Sequence, residues 1–415
     1  VSNACGSDTK TSTLRVLPDP TQAPTAYYSS GNPSYGGDPI DLSTGAYVYA
    51  VEDMSLAGIN GQYAWRRFYN SDIGYSGPLG NNWTHSYDIG TDVSGNQWTV
   101  RHGNLEQSYF TGYSDGLAYP NYAGTLTSLS KDIATGTYTF TKPNGTVYTF
   151  DSDGCIQSIT NRKGNQIIFT SVNCELTRVT FPGGRYIDIT NSGGLITQVA
   201  DNTGRTVLYG YNNGDLTSST DVRGNITIYS YDAMHRMLSM IDARGNTVVT
   251  NTYDAIGRVV SQLDALNNQT TITYDTPSSG ATTVTNALSG TQVHYHNSKY
   301  RLTRFTNELG QDIYLGYDTP TGKIDSYQNE RGYSTFYDLD ANGNLVLVQD
   351  ALANQTMITV NSLNLPTHIT NALGHTTQLG YDGVGNPTTL TLPNGAVYTP
   401  TFDAQGQAVT KTTPN

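Results

Sequence analysis

The chain has 415 residues, 22 basic and 34 acidic, for a net charge of −12, and only 13% of its residues are charged, about half of the ~25% usual in soluble domains. There is no Lys/Arg cluster that could neutralise a run of phosphates, which argues against nucleic acid as a partner, and no stretch approaches the ~20 apolar residues of a membrane span. A disordered chain is excluded as well, because aromatics reach 10% and regularly spaced Tyr, Ile, Leu and Val can bury a continuous apolar seam.

Residues 1–35, with Pro18, Pro20, Pro24 and Pro33 and little periodicity, read as an extended arm or linker. The chain begins at Val1 with neither Met nor an apolar leader, as a processed or truncated N-terminus would. Residues 36–144 hold all three tryptophans, Trp65, Trp83 and Trp98. They read as a non-repetitive β-domain that covers the first edge of the repetitive region downstream.

From about Gly145 to the end the sequence repeats with a period of 19 to 23 residues, which marks about twelve units. Runs such as Asn225 to Tyr231 are rich in β-branched and aromatic residues and alternate faces as strands do. Asp232 and Asp254 follow a Tyr, and their carboxylates can bond to backbone N–H groups two residues on. Gly257 tolerates a left-handed backbone, so Asp254 to Gly257 is a turn with a mechanism. Each period is therefore one β-hairpin. A lone hairpin is marginal in water, so the expected fold is all-β, a spiralling strip of stacked hairpins whose edges pair with one another. Tyr211, Tyr231, Tyr253 and Tyr274 recur once per unit and are expected to stack as a ladder along the seam, the alternative being an exposed sugar-binding face.

Cys155 and Cys174 are 19 residues apart in adjacent units. Stacked hairpins would bring them into one column, within reach of a disulfide; the alternative is two buried thiols. Cys5 is then unpaired, a candidate for a bridge to another subunit or a free thiol.

Tyr253-Asp254-Ala-Ile-Gly257-Arg258-Val259 resembles the YD repeat of the rearrangement-hotspot (Rhs), teneurin and insecticidal toxin-complex families. Gly37-Asp-Pro-Ile-Asp-Leu-Ser-Thr-Gly45, Arg67-Phe-Tyr-Asn70 and Gly77-Pro-Leu-Gly-Asn-Asn-Trp83-Thr-His85 are similar to the domain that precedes the repeats in bacterial Rhs proteins. The resemblance implies a long β-strip that, in some members, closes into a hollow shell around a toxic C-terminal segment. Two departures stand out: an Asp-Pro-x-Gly core motif and a non-repetitive C-terminal effector are both missing from the 415 residues. Comparison of Thr413-Pro414-Asn415 with Pro143-Asn-Gly145 predicts a Gly next, so the repeat stops in mid-unit.

Chemistry-bearing patterns are sparse. His294-Tyr-His296 places two imidazoles on one face of a strand without a third ligand nearby, so exposed histidines are expected rather than a metal. Asp338 to Asn344 matches the front half of a calcium loop, but Gln349 stands where a bidentate Glu belongs. Neither a metal nor a cofactor is therefore expected, and the chain reads as a non-enzyme. Five sequons, at Asn82, Asn144, Asn225, Asn268 and Asn354, are candidate glycosylation sites. The leading expectation is a secreted, extracellular or cell-surface bacterial protein that partners with itself in a filament or coat. The alternatives are a fragment of an Rhs-type shell enclosing a toxin, and an adhesin that binds glycans.

Overall fold

The computed structural model describes residues 35–36, 39–59, 61–104, 106–120 and 127–412. Cys5 and nearly all of the N-terminal arm lie outside the described residues. Among the described residues every regular element is a strand. Thirty-two of the strands, from Gly90–Ser94 to Ala408–Thr412, form one antiparallel sheet. Each is paired with its neighbours in sequence, as in the ladders that join Ile226–Tyr231 to the strands before and after it. The strip thus starts at Gly90 rather than Gly145. Much of the segment read as non-repetitive already belongs to the ladder, because its strands pair by backbone register even where its turns lack the repeat's residues.

Two kinds of turn alternate, and they define two rims. On one rim lie the Tyr-Asp turns inside each unit; on the other lie the linker turns between units. In the Tyr-Asp turn Asp254 Oδ1 accepts the N–H groups of Ile256 (3.0 Å) and Arg258 (2.9 Å), and Gly257 takes a φ of +96°. The linker turn uses the same clamp: Asp264 Oδ1 accepts the N–H groups of Leu266 (2.8 Å) and Asn268 (2.9 Å). One carboxylate or amide oxygen therefore satisfies two backbone donors per turn and fixes where the next strand begins.

A register shift recurs where a unit's first strand meets its Tyr-Asp turn, between Ser230 and Tyr231, Thr252 and Tyr253, Gly316 and Tyr317, and Gly380 and Tyr381. Such bulges add a residue to one strand and increase bend and twist. Repeated in successive hairpins, the bend curls the strip into a coil. The coil meets itself about 200 to 240 residues later. Arg162 Nη2 donates to the Leu363 carbonyl (3.1 Å), Asn165 Nδ2 to that of Gln405 (2.8 Å), and Lys163 Nζ to that of Gly406 (3.1 Å). A linker turn of the first coil thus sits against Tyr-Asp turns of the second.

The preceding segment folds as a three-stranded sheet, Val48–Gly58, Gly61–Asn70 and Trp83–His85, with flanking loops. It does not cover the strip's first edge. Instead it lies against one face, touching strands from Phe169 to Thr282. About twelve strands spaced ~4.8 Å apart can reach one small domain only if the strip is concave toward it, so this is the inner face. Trp65, Trp83, Arg67, Tyr47 and Tyr69 are fully buried there.

Ala353 stands where most turns have Gly, at φ +63°. A left-handed backbone costs an L-residue ~1–2 kcal/mol, partly offset by the greater chain entropy that Gly loses on folding. Ala353→Gly is therefore expected to raise unfolding stability by ~0.5–1 kcal/mol, measured by urea titration.

Candidate functional site

The inner face carries a cross-strand column of side chains, mostly apolar but with the buried polar pair Asn251–Gln262 within it. Its early members Val179, Val199, Val207 and Val249 have no exposed surface, because the 39–88 domain lies over them. Along the later strands the same face carries the cross-strand pairs Tyr337–Val348, Ile358–Ile369 and Leu379–Leu390, with Thr356 and Thr377 opposite Val348 and Ile369 between them. Here the column is only half-buried. The strip therefore has a covered inner face followed by an uncovered apolar one.

The cover is attached through alternate residues of one strand. Trp65, Arg67 and Tyr69 share the face of Gly61–Asn70 that meets the strip, because side chains alternate along a strand. Trp65 Nε1 donates to the Tyr209 hydroxyl (2.9 Å), which donates to Asp53 Oδ2 (2.6 Å). Arg67 closes a two-pronged ion pair on Asp53 (2.5 and 2.8 Å), and its guanidinium lies 5.0 Å from the Trp83 ring centroid and 5.1 Å from that of Tyr209. Burial disfavours the charged guanidinium more than any one neighbour favours it, but the Asp53 charge and hydrogen bond together with the Tyr229 and Tyr209 hydroxyls outweigh it and hold Arg67 above its ordinary range. Tyr69 OH donates to the His235 carbonyl (3.0 Å) and accepts from Met237 N–H (2.7 Å). Trp83 Nε1 donates to the Tyr231 hydroxyl (2.9 Å). At the far side Thr282 Oγ1 donates to the Leu42 carbonyl (2.7 Å) and Val259 N–H to that of Gly45 (2.9 Å).

The tyrosines of the expected ladder are linked differently from ring on ring. Tyr211, Tyr231, Tyr253 and Tyr274 each donate a hydroxyl hydrogen bond back to the preceding unit, to the carbonyls of Ile196 (2.6 Å), Leu216 (2.7 Å), Met237 (2.9 Å) and Val259 (2.5 Å). Arg236 and Arg258 complete the motif. Each pairs with the Asp four residues before it, Asp232 and Asp254, and each also lies over the next unit's ring, Tyr253 at 4.9 Å and Tyr274 at 4.3 Å. The spacing Tyr-Asp-x-x-x-Arg, with Gly257 or His235 in a left-handed backbone before the Arg, is thus a clip: the Asp forms the turn and orients the Arg, and the Arg and its following carbonyl receive the next Tyr.

The remaining sequence candidates fall in varied places. Cys155 and Cys174 are joined in the structure, with Cα atoms 5.4 Å apart. His294 is buried rather than exposed, with its ring 4.8 Å from that of Phe305, and His296 is half-buried. The alternation that put both on one face put that face inward. Among the described residues no group of three or more His, Cys, Asp or Glu is placed to hold a metal, and Asp340 spends its carboxylate clamping Asn342 and Asn344. Asn82 is unsuited to glycosylation, because it is buried and its amide donates to the His235 carbonyl. Asn144 is exposed, whereas the exposed Asn225, Asn268 and Asn354 each donate their amide to the Asp that opens the turn. Sequence reasoning passed over Asp53, Arg67 and Tyr209 as a site. The alternation Trp65-x-Arg67-x-Tyr69 was the available signal, since a cation between two aromatics on one strand face needs an acidic partner once buried.

Two family models match. One, described as a domain of unknown function (DUF6531), covers residues 37–110; the other, described as RHS Repeat, covers 212–247 and 361–397. No protein with a curated description matches. Among solved structures the chain is similar to the crystal structure of TcdB2-TccC3-Cdc42, at 11% identity over 85% of this chain and 24% of that one, with a TM-score of 0.48. It is also similar to TcdB2-TccC3-TEV, at 13% identity over 83% and 23%, with a TM-score of 0.47. A third is the Photorhabdus luminescens Tc holotoxin pore, at 10% identity over 84% and 26%, with a TM-score of 0.36. The chain spans about a quarter of the length of these structures.

Two expectations test the cover. Arg67→Met leaves Asp53 buried without its cation and should cost ~3–5 kcal/mol by urea titration, while Arg67→Met combined with Asp53→Leu should cost clearly less. Acid should also loosen the protein. Burial pushes His85, His102, His294 and His296 down to about 4. The unfolded chain binds protons at these residues near pH 6.5, so their contribution is complete above that pH and is lost as pH falls through about 4. The melting temperature is expected to be level above pH 7 and to decline between pH 6.5 and 4, and the decline should be shallower in His294→Phe.

Proposed function

The chain belongs to the Rhs/YD-repeat family, and from that premise we propose that it forms part of the wall of a hollow shell enclosing a toxic polypeptide. The observation that carries this reading is the inner column of side chains. It is sealed under the 39–88 domain at the start of the strip and left half-exposed and apolar at Tyr337, Ile358, Ile369, Leu379 and Leu390. An apolar concave lining suits a partly unfolded polypeptide, whose exposed side chains it can receive without a specific pocket. The covering domain acts as a plug, held by the buried Arg67–Asp53 pair and the Trp65 and Trp83 hydrogen bonds.

The shell reading stands ahead of a straight filament because the bulge repeated along the strip curls it until linker turns meet Tyr-Asp turns of a later coil. It stands ahead of a glycan-binding adhesin because the repeated tyrosines spend their hydroxyls on backbone carbonyls. The proposal assigns the chain no catalytic step, and it includes secretion by a bacterium as the family resemblance implies. The test is protection. A polypeptide fused after Asn415 is expected to be cut by added protease more slowly than the same polypeptide on an unrelated carrier. Replacing Ile358, Ile369 and Leu379 with Asp should remove that protection, and equal digestion on both carriers would overturn the reading.

A further inference from the structure

Five linker turns present leucine at their third position: Leu266, Leu288, Leu309, Leu352 and Leu373, between 79% and 92% exposed. They recur in the turns Asp264-Ala-Leu-Asn, Asn286-Ala-Leu-Ser, Asn307-Glu-Leu-Gly, Asp350-Ala-Leu-Ala and Asn371-Ala-Leu-Gly. Lone exposed leucines mean little, but these occupy one structural position on one rim, in two runs of neighbouring hairpins about 10 Å apart, Leu266 to Leu309 and Leu352 to Leu373, with Arg331 in the turn between them. The turn itself does not ask for leucine. Its clamp uses the first residue's oxygen and the third residue's backbone N–H, as at Asn286 and Leu288 (2.9 Å), and Arg223, Arg244 and Arg331 fill the same position in sister turns.

What that position does is visible where the two coils meet. The third residue of the linker turn Asn161–Gly164 is Lys163, half-buried, with Nζ on the Gly406 carbonyl and 5.6 Å from the Phe402 ring. Opposite it lie third residues of Tyr-Asp-type turns. Leu363 is half-buried and accepts from Arg162; Gln405 accepts from Asn165; Val384, with Leu363 and Leu365, lines the cleft of about 420 Å³ between the coils. The third position is therefore the contact point between one rim and the opposite rim of the strip lying on it. From Leu266 to Leu373 the linker rim has no such strip above it among the described residues.

We infer that the leucine rim is an interface, and that its occupant is the Tyr-Asp rim of a second copy of this chain, docked as the second coil docks on the first. The existing contact between the coils supplies the geometry, and the leucine turns lie further along the same rim, beyond four linker turns that include those of Arg223 and Arg244. The Tyr-Asp rim offers matching apolar third residues, Met234 and Ile256, at 69% and 56% exposure. Because the two rims differ, the contact is heterologous, and each added copy presents a fresh leucine rim. This inference is independent of what the interior holds.

Sedimentation of the 415-residue protein over a concentration series tests it. Wild type is expected to associate reversibly into head-to-tail stacks. Replacing Leu288, Leu309, Leu352 and Leu373 with Lys, all at exposed positions and so expected to leave melting unchanged, should weaken association roughly 100-fold. Wild type that stays monomeric throughout, or association that the four substitutions leave intact, overturns the interface. A mixing experiment tests its polarity. The leucine variant retains a Tyr-Asp rim, so a small proportion of it should join wild type and shorten the stacks; a variant inert toward wild type would mean leucine rims pairing with each other and would overturn the opposite-rim geometry.

Discussion

A lone hairpin is marginal in water until its outer N–H and C=O groups find partners, and along the interior of this strip the partner is the next hairpin. The ladder from Gly90–Ser94 to Ala408–Thr412 is a chain of such obligations. It can stay in register over so many strands because most turns are set by the same device, an Asp or Asn oxygen that accepts the N–H groups two and four residues on. A one-residue slip at any turn would send every later apolar side chain to the outer face. The clamp is thus the constraint on which the inner column depends.

Curvature follows from a second repeated feature. The extra residue at the Tyr end of the first strand bends each bulged hairpin the same way, and the Tyr-Arg clip to the preceding unit holds the bend. Small equal rotations add, so the strip comes round to meet itself and acquires an inside and an outside. Phe336 and Met357, on the outer face, remain exposed, while Tyr337 and Ile358, next to them in sequence, point inward. The plug takes up the first part of the inside. A buried charge is costly without its partner, which is why Asp53, Arg67, Tyr209 and Trp65 form one connected set of bonds, with Nη1 the one nitrogen of the Arg67 guanidinium left unbonded among the described residues.

Of the candidate site, the motif residues were legible and their partners were not. Tyr231, Asp232 and Arg236 stand out because they recur with a fixed spacing, but the ring of Tyr253 over Arg236 and the Met237 carbonyl under its hydroxyl belong to the adjacent unit. Tyr209 and Asp53 are 156 residues apart, a pairing that no local period announces. His294 and Asn82 looked like surface residues by type and motif, and both are buried, because exposure is decided by which face the coil turns inward and where the plug comes to rest.

By itself the sequence determined the hairpin unit, its turns and the all-β strip, because strand alternation, Asp and Gly turn chemistry and a twenty-residue period are local properties that every unit states again. Only the tertiary structure decided which face is inside, that the tryptophan-rich segment lies across that face instead of at an edge, and that a linker rim meets a Tyr-Asp rim. These depend on the summed bend of many units, a quantity too small in any one hairpin to be written in its residues.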